Sequence, residues 1–203
     1  GRYGTKIRSK LERMGKVIWA VNSNADYTEL EIPNWVFIAT PNIFHYEQAE
    51  YFLRAGANVF VEKPATLMPD ALESLINLSK LEGRRFYVDD VFLYRSDLKQ
   101  GNLAEIGNQF SWHKNSSTGS GSLLDRFAYH HLYLIFGALD GKLDFKVDLY
   151  ENFEPSKLIF DATINNKTFN FHYSISKDGE VSHTIFGEKI SAAPNDALSD
   201  MLI

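Results

Sequence analysis

The chain has 203 residues, of which 44% are hydrophobic, 23% are charged and none is cysteine. This composition provides an apolar core for one large domain or two small ones, and it excludes a disordered chain, a collagen-like repeat and a disulfide scaffold. The formal net charge is −5, and the lysines and arginines are scattered, which argues against a nucleic-acid partner. No uncharged apolar run approaches the roughly 18–20 residues that cross a bilayer, and no secretion signal opens the chain, so we expect a cytoplasmic protein without a membrane partner.

The first 95 residues alternate short apolar runs with amphipathic segments, which is the pattern of a parallel sheet flanked by helices. Four apolar runs predict strands, at residues 16–21, 35–39, 58–61 and 85–88. Three amphipathic segments predict helices, one between Gly4 and Gly15, one over residues 43–55 that ends at Gly56, and one over residues 69–82 that ends at Gly83. The last helix is expected to bury Leu72, Leu75, Ile76 and Leu78. We therefore predict an α/β domain with a doubly wound parallel sheet over residues 1–95.

The second half of the chain follows a different pattern, because after about residue 104 the period of the apolar residues changes from 3.6 to 2. One strand is expected to turn four side chains inward, namely Phe169, Phe171, Tyr173 and Ile175. Asn165-Asn166 and Asp178-Gly179 supply the chemistry of hairpin turns, and one helix, over about residues 124–137, precedes these strands. We predict a smaller α+β domain with an open antiparallel sheet over residues 96–203.

A glycine motif opens the chain. Gly1-Arg2-Tyr3-Gly4 precedes a helix, and the N–H groups and positive dipole end of such a helix suit a pyrophosphate. The alternative is a surface helix bounded by glycines, since the full nucleotide fingerprint needs another glycine and a preceding strand. The chain contains neither of these.

Two further motifs follow predicted strands. Thr40-Pro41-Asn42, with His45, follows one strand, and Glu62-Lys63-Pro64 follows the next. Alone, each is more often a solvated turn or a polar residue in a first helical turn. Parallel strands of a doubly wound sheet end at the same edge, however, so these loops and the glycine motif should converge on the crevice where ligands bind.

The segments IATPNIFH, residues 38–45, and AGANVFVEKP, residues 55–64, together resemble the core of the Gfo/Idh/MocA family, the glucose–fructose oxidoreductase and inositol dehydrogenase group. The likeness covers residues 35–95 and residues 1–21, and beyond residue 104 it depends on layout and on residues 121–131. It implies a Rossmann domain that binds NAD or NADP, with its first strand absent from this short chain, and then an α+β domain for substrate and oligomer contacts. Family members mostly oxidise a hydroxyl or reduce a ketone on sugars, cyclitols and sugar nucleotides.

The resemblance also assigns roles to residues. Lys63 would lie near the nicotinamide, where an ammonium stabilises developing alkoxide charge, and Glu62 would approach the nicotinamide ribose. The cofactor contacts that it implies come from Gly1, Arg2, Tyr3, Gly4, Asn22, Ser23, Thr40, Pro41, Asn42, His45, Glu62 and Lys63. An acidic residue that often binds the NAD ribose in the family is replaced by Asn22-Ser23-Asn24, and no arginine is adjacent, so the choice between NAD and NADP stays open.

The acid–base pair of many family members is an aspartate and a histidine four residues later on a helix. Here the fourth residue after Asp125 is Tyr129, and the histidines are His130 and His131. At about 100° per residue, Tyr129 lies about 40° from Asp125 and His130 about 140° away, so Asp125 and His130 share a face only if the helix starts late or bulges. The predicted catalytic residues are therefore Lys63, Asp125 and His130, with Tyr129 as a substitute proton donor. The alternative is that Asp125 is an N-cap and the histidines are ordinary interfacial residues.

These observations predict an enzyme, an oxidoreductase that transfers a hydride between NAD(P) and a hydroxyl or ketone carbon of a sugar, sugar nucleotide or cyclitol. The alternatives are a cofactor-binding sensor or regulatory protein without turnover and an α/β scaffold without a cofactor. No motif with metal-ligand spacing occurs, so no metal site is predicted. The resemblance allows a homo-oligomer formed through the C-terminal sheet.

Overall fold

The computed structural model describes residues 2–22, 24–89, 91–94, 107–115, 122–137, 144–148 and 156–190. The chain folds as two compact units, Gly1–Asp90 and Val91–Ile203. Two predicted cofactor contacts, Gly1 and Ser23, lie outside the described residues. Among the helices that are described, none has both the length and the apolar character needed to cross a membrane.

The N-terminal unit is a three-stranded parallel sheet with helices. In the described part its elements are α1 (Arg2–Met14), β1 (Trp35–Ile38), α2 (His45–Arg54), β2 (Asn58–Val61), α3 (Pro69–Leu81) and β3 (Phe86–Val88). Two single turns of 3-10 helix, Tyr27–Glu29 and Asn42–Phe44, precede β1 and α2. The strands are ordered β1-β2-β3, and both pairs are parallel. The predicted parallel sheet and helices are confirmed.

Helices α2 and α3 share one apolar core with the sheet. That core consists of Val36, Ile38, Ala49, Phe52, Leu53, Ala57, Val59, Val61, Ala65, Leu75 and Leu78. Gly56 and Gly83 follow the two helices with φ of 94° and 61°, the left-handed conformation that ends a helix and favours glycine. The predicted burial of Ile76 is wrong, since this side chain is 38% exposed. The buried stripe of α3 passes through Leu75 and Leu78, and the next residue after Leu75 is turned about 100° away.

The predicted strand at residues 16–21 is also wrong. In the described part of the N-terminal unit this segment is irregular and pairs with no strand of the sheet. Its half-buried residues are Val17 and Trp19, and the Trp19 ring packs on Phe52 at 5.9 Å while its Nε1–H donates to Glu31 O over 2.8 Å. An extended segment that packs against a helix shows the same alternation as a strand, so the pattern alone did not separate the two.

The C-terminal unit contains a six-stranded sheet and a helix. In the described part its strands are β4 (Gln109–Asn115), β5 (Phe145–Asp148), β6 (Lys157–Ile164), β7 (Lys167–Ser176), β8 (Ser182–Ile185) and β9 (Glu188–Lys189). A 3-10 turn, Val91–Tyr94, precedes β4, and a π-helical turn, Leu124–Ala128, leads into α4 (Tyr129–Gly137). The order is β5-β6-β7-β4-β8-β9, and every pair is antiparallel except β4 with β7.

The mostly antiparallel sheet confirms the kind of sheet predicted for the second half of the chain, and its one parallel pair was not predicted. The chain that joins β4 to β7 is long and contains α4, so β7 can return in the same direction as β4. The four side chains predicted to point inward from β7 are all buried, with exposures of 0–5%. They form the core of this unit with residues of α4 and the other strands.

One of the two predicted hairpin turns is confirmed. Asn165 and Asn166 join β6 to β7 with φ of 48° and 64°, as a two-residue hairpin requires. Asp178-Gly179 does not form a hairpin, because β7 and β8 lie on opposite sides of β4 rather than beside each other. A further hairpin joins β8 to β9 through Phe186 and Gly187, with φ of 53° and 82°. A phenylalanine rarely adopts this left-handed conformation, so Phe186 gave no indication of a turn in the sequence.

Candidate functional site

The carboxyl ends of the three N-terminal strands form one edge. Ile38 aligns with Val61, and Val61 aligns with Val88, so the strands end level with one another. The N–H of Glu62 donates to Ile38 O, and the N–H of Asp89 donates to Val61 O, each over 2.8 Å. Glu62 and Asp89 therefore lie side by side at the edge where open α/β sheets bind ligands.

The beginning of α1 lies at the same edge. Gly4 belongs to the first turn of this helix, and a Cβ built on it would lie 3.6 Å from the Cβ of Ala39, the residue after β1. A small residue at this position allows the helix and the sheet to approach closely. Arg2 and Tyr3 are helical, and their side chains are outside the description. The N-terminus of α1 is thus near the end of β1.

His45 joins the two loops that follow β1 and β2. The side chain is fully buried, its Nδ1 lies 2.8 Å from Pro64 O, and its Nε2 lies 2.8 Å from Thr40 O. Both partners are backbone acceptors, so an imidazole with one N–H satisfies one of them and an imidazolium satisfies both. Thr40 is held as well, since its Oγ1 donates to Gln48 Oε1 over 2.7 Å. These bonds keep the Thr40-Pro41-Asn42 and Glu62-Lys63-Pro64 segments together.

Glu62 is the electrostatically unusual group of this edge. Burial, together with a hydrogen bond to Asp89 and the negative charge of Asp89, raises the pKa of Glu62 to about 10, and the nearby Lys63 opposes this rise. Asp89 is itself only 2% exposed. The Oε2 atom of Glu62 is buried and has no hydrogen-bond partner among the described residues. A buried oxygen without a partner is unfavourable unless a ligand supplies one.

The structure describes four further predicted contacts, Lys63, Pro41, Asn42 and Asn22. Lys63 follows Glu62 directly, its side chain is half-buried, and the bond to Pro64 is cis. Pro41 and Asn42 begin the 3-10 turn before α2, where Phe44 N–H donates to Pro41 O over 2.9 Å. Asn22 is exposed, and its Oδ1 accepts the N–H of Asn24 over 2.9 Å.

These features fit a dinucleotide. A helix N-terminus suits a pyrophosphate, and the unpartnered Oε2 of Glu62 offers a buried acceptor to a hydroxyl. Lys63 places a positive charge next to that acceptor. The same edge would hold the cofactor between Gly4, Thr40 and Glu62.

The helix that carries the predicted acid–base residues contains a π-turn. Over Leu124–Ala128 the helix is a π-helix, in which backbone hydrogen bonds join residues five positions apart. The N–H of Tyr129 accordingly donates to Leu124 O. Asp125 lies within this turn, and its side chain is outside the description. In a π-turn, residues five positions apart lie one turn apart on the same side of the helix, as residues four positions apart do in an α-helix. Position 130 therefore lies one turn after position 125. The helix bulges, which is one of the two conditions set out above for Asp125 and His130 to share a face.

His130 and Tyr129 are both half-buried. The His130 ring stacks on Phe92, with centroids 4.3 Å apart and planes at 17°, and its centroid lies 6.1 Å from that of Trp112. The Tyr129 ring stacks on Tyr133 at 5.6 Å. Each candidate proton donor is therefore held by an aromatic partner and keeps part of its surface exposed.

His131 has a different environment from His130. It is fully buried, with Nδ1 2.9 Å from the Tyr173 hydroxyl and Nε2 2.8 Å from Nε2 of His183. Burial lowers the pKa of His131 well below its ordinary value, and the neighbouring His183 and His130 act in the same direction. Burial also raises the pKa of Tyr173 well above its usual value. The neutral His131 ring joins α4 to β7 and β8 and belongs to the core.

A comparison with known families gives one match. Residues 12–90 match the oxidoreductase family with an NAD-binding Rossmann fold. Over these residues the match confirms the resemblance to the Gfo/Idh/MocA family found in the sequence. No curated protein sequence matches the chain.

Solved structures resemble the chain beyond that domain. One is the WlbA (WbpB) dehydrogenase from Thermus thermophilus in complex with NAD and alpha-ketoglutarate, with a TM-score of 0.60 and 22% identity over 77% of this chain and 59% of that chain. The same enzyme in complex with NAD and UDP-GlcNAcA has a TM-score of 0.58 and 20% identity, over 83% and 64% of the chains. UDP-N-acetylglucosamine 3-dehydrogenase GnnA from Acidithiobacillus ferrooxidans has a TM-score of 0.64 and 16% identity, over 83% and 67%.

At these identities the likeness shows the fold. It covers both units, because three quarters or more of this chain is matched in the structures named above. The chain spans about half to two thirds of the length of the solved structures that it resembles.

Sequence reasoning missed Asp89 as part of the site. Asp89 follows the predicted strand at residues 85–88 in the same way that Glu62 follows the strand at residues 58–61. The rule that carboxyl ends of parallel strands share an edge could have found it, had the rule been applied to the third strand. The partners of His131, by contrast, come from distant strands and carried no local signal.

Proposed function

We propose that this protein is an NAD-dependent oxidoreductase that transfers a hydride between the cofactor and a hydroxyl or ketone carbon of a sugar nucleotide, sugar or cyclitol. The observation that carries this proposal is the buried, unpartnered Oε2 of Glu62 at the carboxyl edge of a Rossmann sheet. An unsatisfied buried acceptor is costly unless a ligand supplies a donor, and it is expected where a ribose hydroxyl binds.

The cofactor would be held along the edge already described. The backbone N–H groups of the first turn of α1, at Gly4, would face the pyrophosphate, and Thr40-Pro41-Asn42 and Glu62 would contact the nicotinamide half. Arg2, Tyr3, Asn22 and Ser23 remain predicted contacts for the rest of the nucleotide. We favour NAD over NADP because the matched family is NAD-binding. When bound, the nicotinamide supplies the hydride acceptor or donor.

Lys63 would act on the reacting oxygen of the substrate. Oxidation of a carbinol leaves alkoxide charge on that oxygen, and reduction of a ketone develops the same charge. A fixed ammonium in a partly buried site stabilises that charge in the transition state. The half-buried position of Lys63 beside the buried Glu62 supports this role.

His130 would take or return the hydroxyl proton. A positioned histidine contributes about 10²–10⁴ in rate by general acid–base catalysis. The π-turn supports this role, because it gives position 130 the relation to position 125 that the family's histidine has to its aspartate. Asp125 would orient His130, and Tyr129 is the substitute donor if the histidine is not used.

The substrate class is proposed from the resemblance to sugar-nucleotide enzymes. The Thermus thermophilus structure contains UDP-GlcNAcA together with NAD, and GnnA is named a UDP-N-acetylglucosamine 3-dehydrogenase. Both proteins are longer than this chain. We therefore propose a sugar nucleotide as the first substrate class to test, with free sugars and cyclitols next.

Two expectations from the sequence belong to the same proposal. One is a cytoplasmic location, and the other is a homo-oligomer formed through the outward face of the C-terminal sheet. That face carries a groove of about 440 Å³, in which Asn170 Nδ2–H donates to Asp161 Oδ1 over 2.9 Å. Sedimentation velocity of the purified chain would test the oligomer.

Turnover with a substrate panel tests the proposed function. The chain is assayed with NAD and with NADP against UDP-sugars, free sugars and inositols, and NADH binding is followed by fluorescence. In Lys63→Met we expect kcat to fall by about 10²–10³, with the NADH dissociation constant little changed. The matched control is Lys80→Met, since Lys80 is an exposed lysine of α3 outside the site.

The same experiment separates the alternatives. NADH binding without turnover, unchanged in Lys63→Met, would favour a sensor or regulatory protein. The absence of both binding and turnover would leave an α/β scaffold. A histidine one position too late in the helix would favour the sensor, and the π-turn supports the enzyme instead, because it compensates for that displacement.

A further inference from the structure

Two carboxyl groups lie side by side in the candidate cofactor site, at the carboxyl edge of the N-terminal sheet. Glu62 follows β2 and Asp89 follows β3, and the ladder bonds at the ends of these strands keep their backbones adjacent. Their side chains are hydrogen-bonded to each other, and both are largely buried. An ionised carboxylate is acceptor-only, so a hydrogen bond between two carboxyl groups contains a proton. The pair therefore carries one proton and one negative charge.

The position of that proton decides what the free oxygen can do. The proton lies between the two side chains, so the Oε2 atom of Glu62 has no hydrogen of its own. Oε2 is an acceptor whichever of the two groups formally holds the proton. Because it has no partner among the described residues, it can accept from a ligand hydroxyl or amide N–H, and it cannot donate to a phosphate or a carbonyl.

We propose that Asp89 is a positioning residue for cofactor binding: it shares a proton with Glu62 and thereby holds Oε2 of Glu62 as an acceptor for a hydroxyl of the nicotinamide ribose. This inference rests on the proposed function and adds a residue and a protonation state to it. Asp89 acts through Glu62 and need not touch the cofactor.

The charges around the pair support a shared proton. Like charges this close raise the pKa of one member of a carboxyl pair, and burial acts in the same direction. The positive charge that acts on Glu62 comes from Lys63, which opposes these effects and is outweighed. From α2, the histidine at position 45 bonds the backbone of Pro64 and Thr40 and does not bond either carboxyl. The pair thus keeps its proton at neutral pH and releases it near pH 10.

Infrared spectroscopy of the cofactor-free protein tests the shared proton. At pH 8 ordinary carboxyl groups are ionised, so the C=O stretch of a protonated carboxyl in the wild type would come from a shifted group. We expect that band in the wild type and its loss in Glu62→Gln and in Asp89→Asn, because an amide donates to the remaining carboxylate without a shared proton. Asp178→Asn, at an exposed turn, is the matched control and should keep the band.

NADH titration of the same proteins tests the positioning role. Asp89→Asn should keep most of the wild-type affinity at pH 7.5, since an amide N–H can still hold Glu62. Asp89→Leu removes the partner of Glu62 and should weaken NADH binding by about tenfold or more. Wild-type affinity should fall as the pH approaches 10, where the pair loses its proton, and the affinity of Asp89→Asn should stay flat.

The outcomes are distinct. A carboxyl band that is lost in both amide variants, with affinity retained by asparagine and lost by leucine, supports the proposal. The absence of the band in the wild type overturns it, and so does NADH affinity that is unchanged in a folded Asp89→Leu. If the band is present and the wild type binds no NADH, the proposed function fails together with the positioning role, while the shared proton stands.

Discussion

The two units hold their candidate functional groups in different ways. In the N-terminal unit, Glu62, Lys63 and Asp89 directly follow strands, so the hydrogen bonds of the sheet fix their backbone. In the C-terminal unit, His130 is placed by the phase of a helix, and that phase depends on a π-turn. An extra residue after a strand lengthens a loop, whereas an extra residue in a helix rotates every later side chain unless a π-turn absorbs it.

The largest expected effect separates the two units by function. In His130→Gln, kcat should fall by about 10²–10⁴ because the proton donor is lost, and the NADH dissociation constant should not change because the cofactor edge belongs to the N-terminal unit. Steady-state kinetics and NADH fluorescence measure the two quantities. His172→Gln, on the outward face of β7, is the matched control. Equal loss of kcat in both variants would show that His130 has no special role.

The next effect concerns the bonds that hold the cofactor edge together. His45→Phe removes the ring contacts with Thr40 O and Pro64 O, so at least one of these carbonyls loses its donor. We expect the free energy of unfolding to fall by about 1–3 kcal/mol and NADH binding to weaken as the two loops separate. Urea denaturation and NADH titration are the measurements. His45→Gln, which keeps one possible N–H donor, should lose less, and an equal loss in both variants would contradict a role for the bonds.

The pH dependence of stability should have opposite signs in the two units. The pKa of His131 is lowered in the fold, so below about pH 6.5 the unfolded chain takes up a proton that the folded C-terminal unit does not. Its free energy of unfolding should fall by up to about 1.4 kcal/mol per pH unit as the pH decreases from there towards the folded pKa. The pKa of Glu62 is raised to about 10, so the N-terminal unit should lose stability as the pH rises from about 4.5 towards 10.

Tryptophan fluorescence can report the two signs separately. The chain has three tryptophans, of which Trp19 and Trp35 lie in the N-terminal unit and Trp112 in the C-terminal unit. The double variant Trp19→Phe/Trp35→Phe leaves one reporter in the C-terminal unit, and Trp112→Phe leaves reporters in the other. Urea unfolding at pH 5, 7 and 9 should give opposite trends. A common trend in both variants would contradict the assignment of His131 and Glu62 as the responsible groups.

The smallest effect is expected at Gly4. A Cβ at this position would meet the Cβ of Ala39 at 3.6 Å, an ordinary contact, and the residue is helical. Gly4→Ala should therefore change the free energy of unfolding by less than about 1 kcal/mol and keep NADH binding. Gly4→Val adds branched methyl groups against Ala39 and should weaken both. Loss of NADH binding in the alanine variant would mean that the site needs a bare backbone at this position.

Much of the N-terminal unit could be predicted because its rules are local. The strand at residues 58–61 and the ends of α2 and α3 at Gly56 and Gly83 follow from periodicity and left-handed glycines. Two strand features were not predicted correctly, and they have a common cause. A strand needs a hydrogen-bonded partner strand, and the sequence of one segment does not show that partner. Residues 16–21 have the period of a strand and no partner in the described part, and β4 pairs with β7 in parallel across about 60 residues of sequence.

The candidate site was predictable only in part, for the same reason. The three motifs near the cofactor edge are short segments whose meeting point follows from parallel topology. The Glu62–Asp89 bond depends on two strands whose ends, Val61 and Val88, are 27 positions apart in the sequence, and the π-turn depends on how Leu124–Ala128 packs. The sequence shows that Asp125 and His130 need a late helix start or a bulge to share a face, and only the structure shows that the helix bulges.

The most direct test of the cofactor site is a crystal structure of this chain grown with NAD. We expect the dinucleotide to lie along the carboxyl ends of β1, β2 and β3, with a ribose hydroxyl within hydrogen-bond distance of Oε2 of Glu62. A dinucleotide bound elsewhere on the protein would contradict this expectation, and so would the absence of a dinucleotide at this edge in crystals grown at saturating NAD.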